Sequence, residues 1–283
     1  MTTTTTTHTE STEQTAQRLV QTIAEVGSCA VAFSGGVDSS VVAKAAQLAL
    51  GDKAIAVTGR SASVSQTDLS EAAKVAKEIG MRHLLVDTHE GEREAYIRNE
   101  SDRCFHCKTE LYSIIDRVME EQQINTLLNG ANVDDQGDHR PGMIAAKNYE
   151  VRSPLIECGI NKQMVRQLAQ HWNLPVWDRP ASPCLASRIA YGEQVTPARL
   201  KMIEQAEAFL RDHGLHEFRV RYHRDDLARV EVPLDKIAEL ADPKLRDELV
   251  ATFQQIGFRY ITIDLEGFRS GNLNQLVSLE LPS

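Results

Sequence analysis

AFSGGVDSSVV, residues 32–42, leaves an apolar run that begins at Cys29 and enters a helix-like stretch through Ser34, Gly35 and Gly36. Two glycines at a strand-to-helix junction let a backbone approach an anion with no Cβ in the way. The N–H groups of such a loop, and the helix start behind it, attract phosphate. Asp38 would repel that phosphate unless a cation lay between them, which implies Mg²⁺. The string is not the Gly-x4-Gly-Lys-Ser/Thr loop of other nucleotide-binding proteins. A plain glycine turn capped by Asp38 and Ser39 is the alternative.

Outward from this loop the chain repeats one rhythm. CAVAF (29–33), KAIAVTG (53–59), RHLLVDT (82–88) and NTLLNG (125–130) read as buried strands. Residues 37–50, 65–79 and 108–123 read as helices between them, and 161–173 as a further helix opened by an Asn cap. Strands and helices alternating at this spacing predict an α/β fold with a doubly wound parallel sheet. After about residue 190 the rhythm changes. A Pro-started helix (196–214) precedes the strand-like runs FRVRYH (218–223), ARVEVP (228–233) and FRYITIDL (258–265), with two short helices between the last two. The expected organisation is a disordered Thr-rich tail (1–15), an ATP-binding-type domain (16–190) and a smaller C-terminal α/β domain (191–283) that binds substrate or mediates oligomerisation.

The chain has 283 residues, 42% of them hydrophobic and 25% charged, as expected of a soluble globular protein. No apolar run is long enough for a membrane span. MTTTTTTHTESTEQT lacks the basic and apolar regions of a secretory signal, so a cytoplasmic location is expected. A net charge of −9 leans against a broad nucleic-acid surface. In a reducing cytosol, Cys104 and Cys107 of DRCFHCK (102–108) read as a metal or redox pair rather than a disulfide. Cys184 lies in RPASPCLASR (179–188), a loop-like segment where Arg179 and Arg188 favour a reactive thiolate. Cys29 and Cys158 read as structural.

Arg219 and Arg221, two apart on one strand, face the same way and suit a phosphate or carboxylate. Pairing with nearby acids such as Glu231 is the alternative. Asn132, Asp134, Asp135 and Asp138 form an acidic loop at a sheet end, suited to Mg²⁺ or ribose hydroxyls. Glu231 and Asp264 are further acids expected near the site, and Arg269 reads as an ion-pair former.

SGGVDSS resembles the PP-loop of the ATP pyrophosphatase superfamily, whose members split ATP between the α and β phosphates to adenylate a carboxylate or carbonyl oxygen. That resemblance implies that Ser34, Gly35, Gly36, Asp38, Ser39 and Ser40 bind pyrophosphate and Mg²⁺, with adenine near Thr58 to Arg60. Taken with NGANVDDQGDHRPG (129–142), VRSPL (151–155), RPASPCLASRI (179–189) and DLEGFRSGNLN (264–274), the chain resembles the LarE family of sulfur-insertion enzymes from about residue 16 onward. The resemblance implies an ATP-dependent sulfur transferase that turns the carboxylates of a pyridinium-3,5-biscarboxylic acid mononucleotide into thiocarboxylates for a nickel-pincer cofactor. It further implies that Arg188, Arg219 and Arg221 hold the substrate phosphate, and that the protein self-associates. Sulfur comes either sacrificially from Cys184 or from a [4Fe–4S] cluster on Cys104, Cys107 and Cys184. For the CFHC pair, a persulfide relay, a zinc site with His106, and an inert pair stay open beside the cluster. A tRNA-thiolating enzyme, an ammonia-dependent amidating synthetase and a non-enzymatic nucleotide-binding module are the competing functions.

Overall fold

The computed structural model describes residues 10–136, 141–180 and 182–269. Two compact units emerge, one within Met1–Arg60, Gln66–Thr88 and Lys108–Ser182, the other within Ser61–Ser65, His89–Cys107 and Pro183–Ser283. The second unit thus draws on two short earlier segments as well as on the stretch from Pro183 onward.

The first unit is built on a four-stranded, all-parallel sheet: β1 (Cys29–Ala32), β2 (Ala54–Arg60), β3 (Arg82–Asp87) and β4 (Thr126–Leu128), in the order β3-β2-β1-β4. Uninterrupted small and β-branched residues make β1 and the first five residues of β2 fully or nearly buried, as interior parallel strands require. Edge strand β3 keeps polar ends and partial exposure. With the sheet belong α1 (Thr12–Ala24), α2 (Val37–Leu50), α3 (Gln66–Ile79), α6 (Pro141–Asn148), α7 (Pro154–Glu157), α8 (Lys162–His171) and all but the first turns of α5 (Arg103–Gln122), whereas α4 (Glu94–Ile97) and the start of α5 are counted with the second unit. Leu19 and Ile23 of α1, Val41 and Val42 of α2 and Val165 and Leu168 of α8 share one buried core with Val31. Each such side chain contributes about 1.5–3 kcal/mol through burial. Ser11 and Gln14 form a reciprocal capping box on α1, and Asn161 Oδ1 accepts from Met164 N at 2.9 Å to open α8.

The expected strands are present with ends moved by at most two residues. One helix differs more: α5 begins at Arg103, not at 108, so CFHC lies on its first turns. No glycine or proline interrupts 102–108, and nothing in that stretch stops a helix from running through both cysteines.

In the second unit, β5 (Arg219–His223) pairs antiparallel with β6 (Leu227–Glu231), which pairs parallel with β7 (Tyr260–Ile263). Helices α9 (Pro197–Asp212), α10 (Ile237–Leu240) and α11 (Pro243–Ile256) complete it. Phe209 of α9 meets Phe253 of α11 edge-on at 6.0 Å, and Phe253 meets Phe258 at 5.7 Å. These rings belong to a separate core that also includes Tyr96, Leu185 and Ala186. Among the described residues no helix is long and apolar enough to cross a membrane.

Candidate functional site

In the order β3-β2-β1-β4 the chain runs outward from β1 through β2 to β3 and then crosses back to add β4 on the other side of β1, so the crevice past the carboxyl ends of β1 and β4 is the topological switch point of the first unit. The loops that leave these two strands meet there. Gly35 has a φ of +72°, and a Cβ on it would stand 2.8 Å from the Cα of Ala72. A Cβ on Gly130, after β4, would stand 2.7 Å from Ser39 N. Only glycine permits either approach. No side chain caps the first turn of α2, which disfavours the plain capped turn and leaves the helix start for an anion. Ser34 and Ser39 hydroxyls lie 3.2 Å apart, and Ser39 Oγ donates to Gly36 O. Ser40 Oγ is buried with no hydrogen-bond partner among the described residues. A helix start without a cap, an orphan hydroxyl and a Cβ-free cradle together fit a pyrophosphate group.

Asp38, on the first turn of α2, accepts from Asn132 Nδ2 at 3.0 Å and pairs with Lys162 Nζ at the start of α8. Lys162 N donates to Asp134 Oδ2 at 2.8 Å, and Asp135 Oδ2 accepts from Asn132 N at 3.0 Å. The acidic loop is therefore folded onto the phosphate loop, although Asp138 lies outside the described residues. Asp38 faces a cation already, and Lys162 would have to yield or share it if Mg²⁺ bound there. Thr58 is buried, donates to Phe33 O at 2.7 Å and meets His83 Nε2 at 2.7 Å. Its hydroxyl braces the root of the loop and is committed there. Burial lowers the proton affinity of His83, consistent with a neutral ring in that bond.

The three candidate cysteines all belong to the second unit. Cys104 and Cys107, three apart on α5, lie on one helix side, the first exposed and the second half-buried. Cys184 precedes a short 3-10 turn, and both it and Cys107 pack against the second core. His106 Nε2 pairs instead with Asp102 Oδ2 at 2.9 Å. Tyr96, hydrogen-bonded to Ser63 Oγ, is held well above the usual phenol range by burial and then by Cys184. Arg103 directly precedes Cys104 in the chain and donates to Ala186 O, two residues after Cys184, at 2.8 Å. Thiolate donors on the first turns of α5 and in the Cys184 loop suit an iron–sulfur cluster chemically. Among the described residues, however, no three His, Cys, Asp or Glu groups are assembled as a metal site, so the ligand set is not closed in this structure. Cys29 and Cys158 are buried in the first core, and burial pushes the Cys29 thiol up to about 12.

Arg219 and Arg221 do share a strand face, and it is a buried one. Arg221 forms a fork with Glu231 at 3.1 and 3.0 Å and donates to Ser187 O at 2.9 Å. Arg188 pairs with Glu207 at 3.0 Å and also holds the Pro183 and Cys184 carbonyls. Arg219 stacks over Phe268 at 5.1 Å. Burial, then Arg188 and Arg221, depresses its proton affinity to about 10. Three crowded guanidiniums suit an anion. Glu231 also takes Arg229 at 3.1 Å, and Asp264 lies 3.6 Å from Arg229, so both acids are structural partners here. Arg269 pairs with Glu266 of the same chain. Arg179, counted with the first unit, pairs with Glu71 at 2.6 Å.

A family model described as NAD synthase matches residues 10–106. The pyridinium-3,5-bisthiocarboxylic acid mononucleotide synthase of Lactiplantibacillus plantarum is 33% identical over 262 residues, spanning 92% of this chain and 94% of that protein. The chain belongs to this synthase's family, LarE. Within the same relationship, an uncharacterised protein of Synechocystis is 42% identical over 262 residues, 93% of this chain and 97% of its own. A tRNA-specific 2-thiouridylase of Maricaulis maris is more distant, 27% identical over 236 residues that cover 68% of this chain and 58% of that protein. Lys162, Arg103, Tyr96 and Glu207 were not visible as site members in the sequence. Each is an ordinary helix residue by pattern, and only the tertiary fold brings it to the loop or the thiols.

Proposed function

We propose that the chain is an ATP-dependent sulfur transferase acting on the carboxylates of pyridinium-3,5-biscarboxylic acid mononucleotide. The observation that carries this reading is the pairing of an uncapped phosphate-type loop with three thiols in a member of the LarE family. A carboxylate is a poor electrophile, and transfer of AMP to it supplies a leaving group. A substrate carboxylate oxygen attacks the α-phosphorus of ATP, and pyrophosphate departs into the cradle of Gly35, Gly36, Ser39 and Ser40. Asp38, with Asn132 behind it, would hold Mg²⁺, which would supply positive charge to the leaving phosphates. A sulfur nucleophile then attacks the acyl carbon and AMP leaves. Arg219, supported by Arg188 and Arg221, holds the phosphate of the nucleotide.

Cys104, Cys107 and Cys184 are the residues that would hold a [4Fe–4S] cluster, and such a group supplies a replaceable sulfide when bound. Without it, Cys184 Sγ serves directly. The thioester it forms loses its Cα proton, the C–S bond breaks, and residue 184 is left as dehydroalanine, about 34 Da lighter. The acidic net charge of −9 favours a small-molecule substrate over tRNA.

Purification without oxygen, with iron and acid-labile sulfide measured beside Cys104→Ala, tests the source of sulfur. About four irons per chain with absorbance near 400 nm, lost in the variant, supports the cluster. Iron-free protein after anaerobic reconstitution removes the cluster and leaves sacrificial Cys184, read by the mass loss.

A further inference from the structure

Arg103 is only 6% exposed, like Arg188 at 6% and Arg221 at 2%. Those two are each forked onto a buried glutamate. Arg103 has no carboxylate partner among the described residues. Its Nη1 donates to Asn99 Oδ1 and to Ala186 O, the latter at 2.8 Å. Asn99 is wholly buried and is itself fixed, its Nδ2 donating to Ala190 O at 2.8 Å and Glu193 O at 2.9 Å. One edge of the guanidinium is therefore clamped to a rigid frame. The other edge, Nε and Nη2, makes no hydrogen bond among the described residues, and neither atom is sealed from solvent.

A buried cation without a counter-charge is costly, and folded chains normally supply one. Among the described residues no carboxylate answers this planar double donor, which directly precedes Cys104 in the chain and holds the carbonyl of Ala186, two residues after Cys184.

We propose that the free Nε–Nη2 edge of Arg103 seats a carboxylate of the aromatic substrate next to Cys184 and Cys104, making Arg103 a specificity-determining residue of the sulfur-transfer site. The inference rests on the sulfur-transferase reading for the identity of that carboxylate. A planar fork of two N–H donors matches a carboxylate in a bidentate pair, which a lysine cannot reproduce.

The test is calorimetric binding of pyridine-3,5-dicarboxylate, pyridine-3,5-dicarboxamide and inorganic phosphate to the full-length protein and to Arg103→Gln and Arg103→Lys. We expect Arg103→Gln to weaken the dicarboxylate about 30-fold and Arg103→Lys about tenfold, with the dicarboxamide unaffected. Should Arg103→Gln fail to fold, Arg103→Lys, which retains the charge, carries the same comparison. Dicarboxylate binding unchanged in the variants, absent in wild type, or matched by an equal Arg103-dependent gain for phosphate would overturn the proposal. Thiocarboxylate formation by wild type is assayed separately. Its absence would remove the sulfur-transferase reading, whereas Arg103-dependent dicarboxylate binding stands or falls on the calorimetry.

Discussion

The phosphate loop and the thiol site are built in opposite ways. The loop is one continuous stretch whose shape comes from backbone: Gly35 in the left-handed region, Gly130 pressed against Ser39 N, and a helix start that no side chain caps. The thiol site is gathered from residues 96–107 and 183–188 by buried polar side chains, chiefly Asn99, Arg103 and Arg188. A backbone-built anion site arrives preformed with the fold. A side-chain-built site depends on each of its buried pairs, and leaves its own ligand groups free to move together only when something binds them.

The largest expected contrast comes from the nucleophile. Cys184→Ala should abolish thiocarboxylate formation while pyrophosphate release persists, measured in parallel on the same protein. Loss of pyrophosphate release as well would mean that the two parts are not separable. Next is Gly35→Val. A branched side chain at φ +72° with 2.8 Å to the Ala72 Cα should cost about 1–3 kcal/mol of backbone strain and eliminate ATP turnover, while thiol alkylation stays as in wild type.

Arg221→Leu probes the other style of construction. Removing one partner of the buried Glu231 pair should lower stability by up to about 3–5 kcal/mol, moderated by Arg229, read as a drop in Tm. The reverse swap of both partners to apolar residues should be far milder. Lys162→Met is smaller still: Asp38 loses a resident cation, so the Mg²⁺ concentration for half-maximal activity should fall severalfold if lysine and metal compete.

The smallest effect is a pH dependence of stability. Burial depresses His83 and His223 below the ordinary imidazole value of 6.5. Between those depressed values and 6.5 the unfolded chain binds more protons than the folded one, so stability falls as pH drops through that window. His83→Asn should flatten the first unit's share of that slope, measured by denaturant unfolding at pH 5.5 and 7.5, about one unit to either side of the reference value.

The contrast also explains what could be read without coordinates. Uniform strands such as CAVA and the AFSGGVDSS loop carry their conformation in local pattern, so the parallel sheet and the glycine-built strand-to-helix turn were legible. Arg219 and Arg221 were legible as a pair on one face because strand alternation fixes it, but whether that face met solvent was not, since burial is decided by α9 and the Cys184 loop. Glu207, whose Oε1 takes both Arg188 Nε and Val220 N, has the pattern of a surface helix acid. DRCFHCK reads equally as loop or helix start, and the helix start at Arg103 is tied by its side chain to Asn99, four residues back, and across the chain to Ala186 O.

The most direct measurement of the central claim is a single-turnover reaction with ATP, Mg²⁺ and the biscarboxylate nucleotide, the products resolved by mass. Sulfur transfer predicts AMP, pyrophosphate and a nucleotide heavier by about 16 Da for each oxygen replaced by sulfur, with the sulfurated product, but not the AMP and pyrophosphate, dependent on Cys184. AMP and pyrophosphate formed with an unsulfurated product, or a sulfurated product formed equally well by Cys184→Ala, would contradict it.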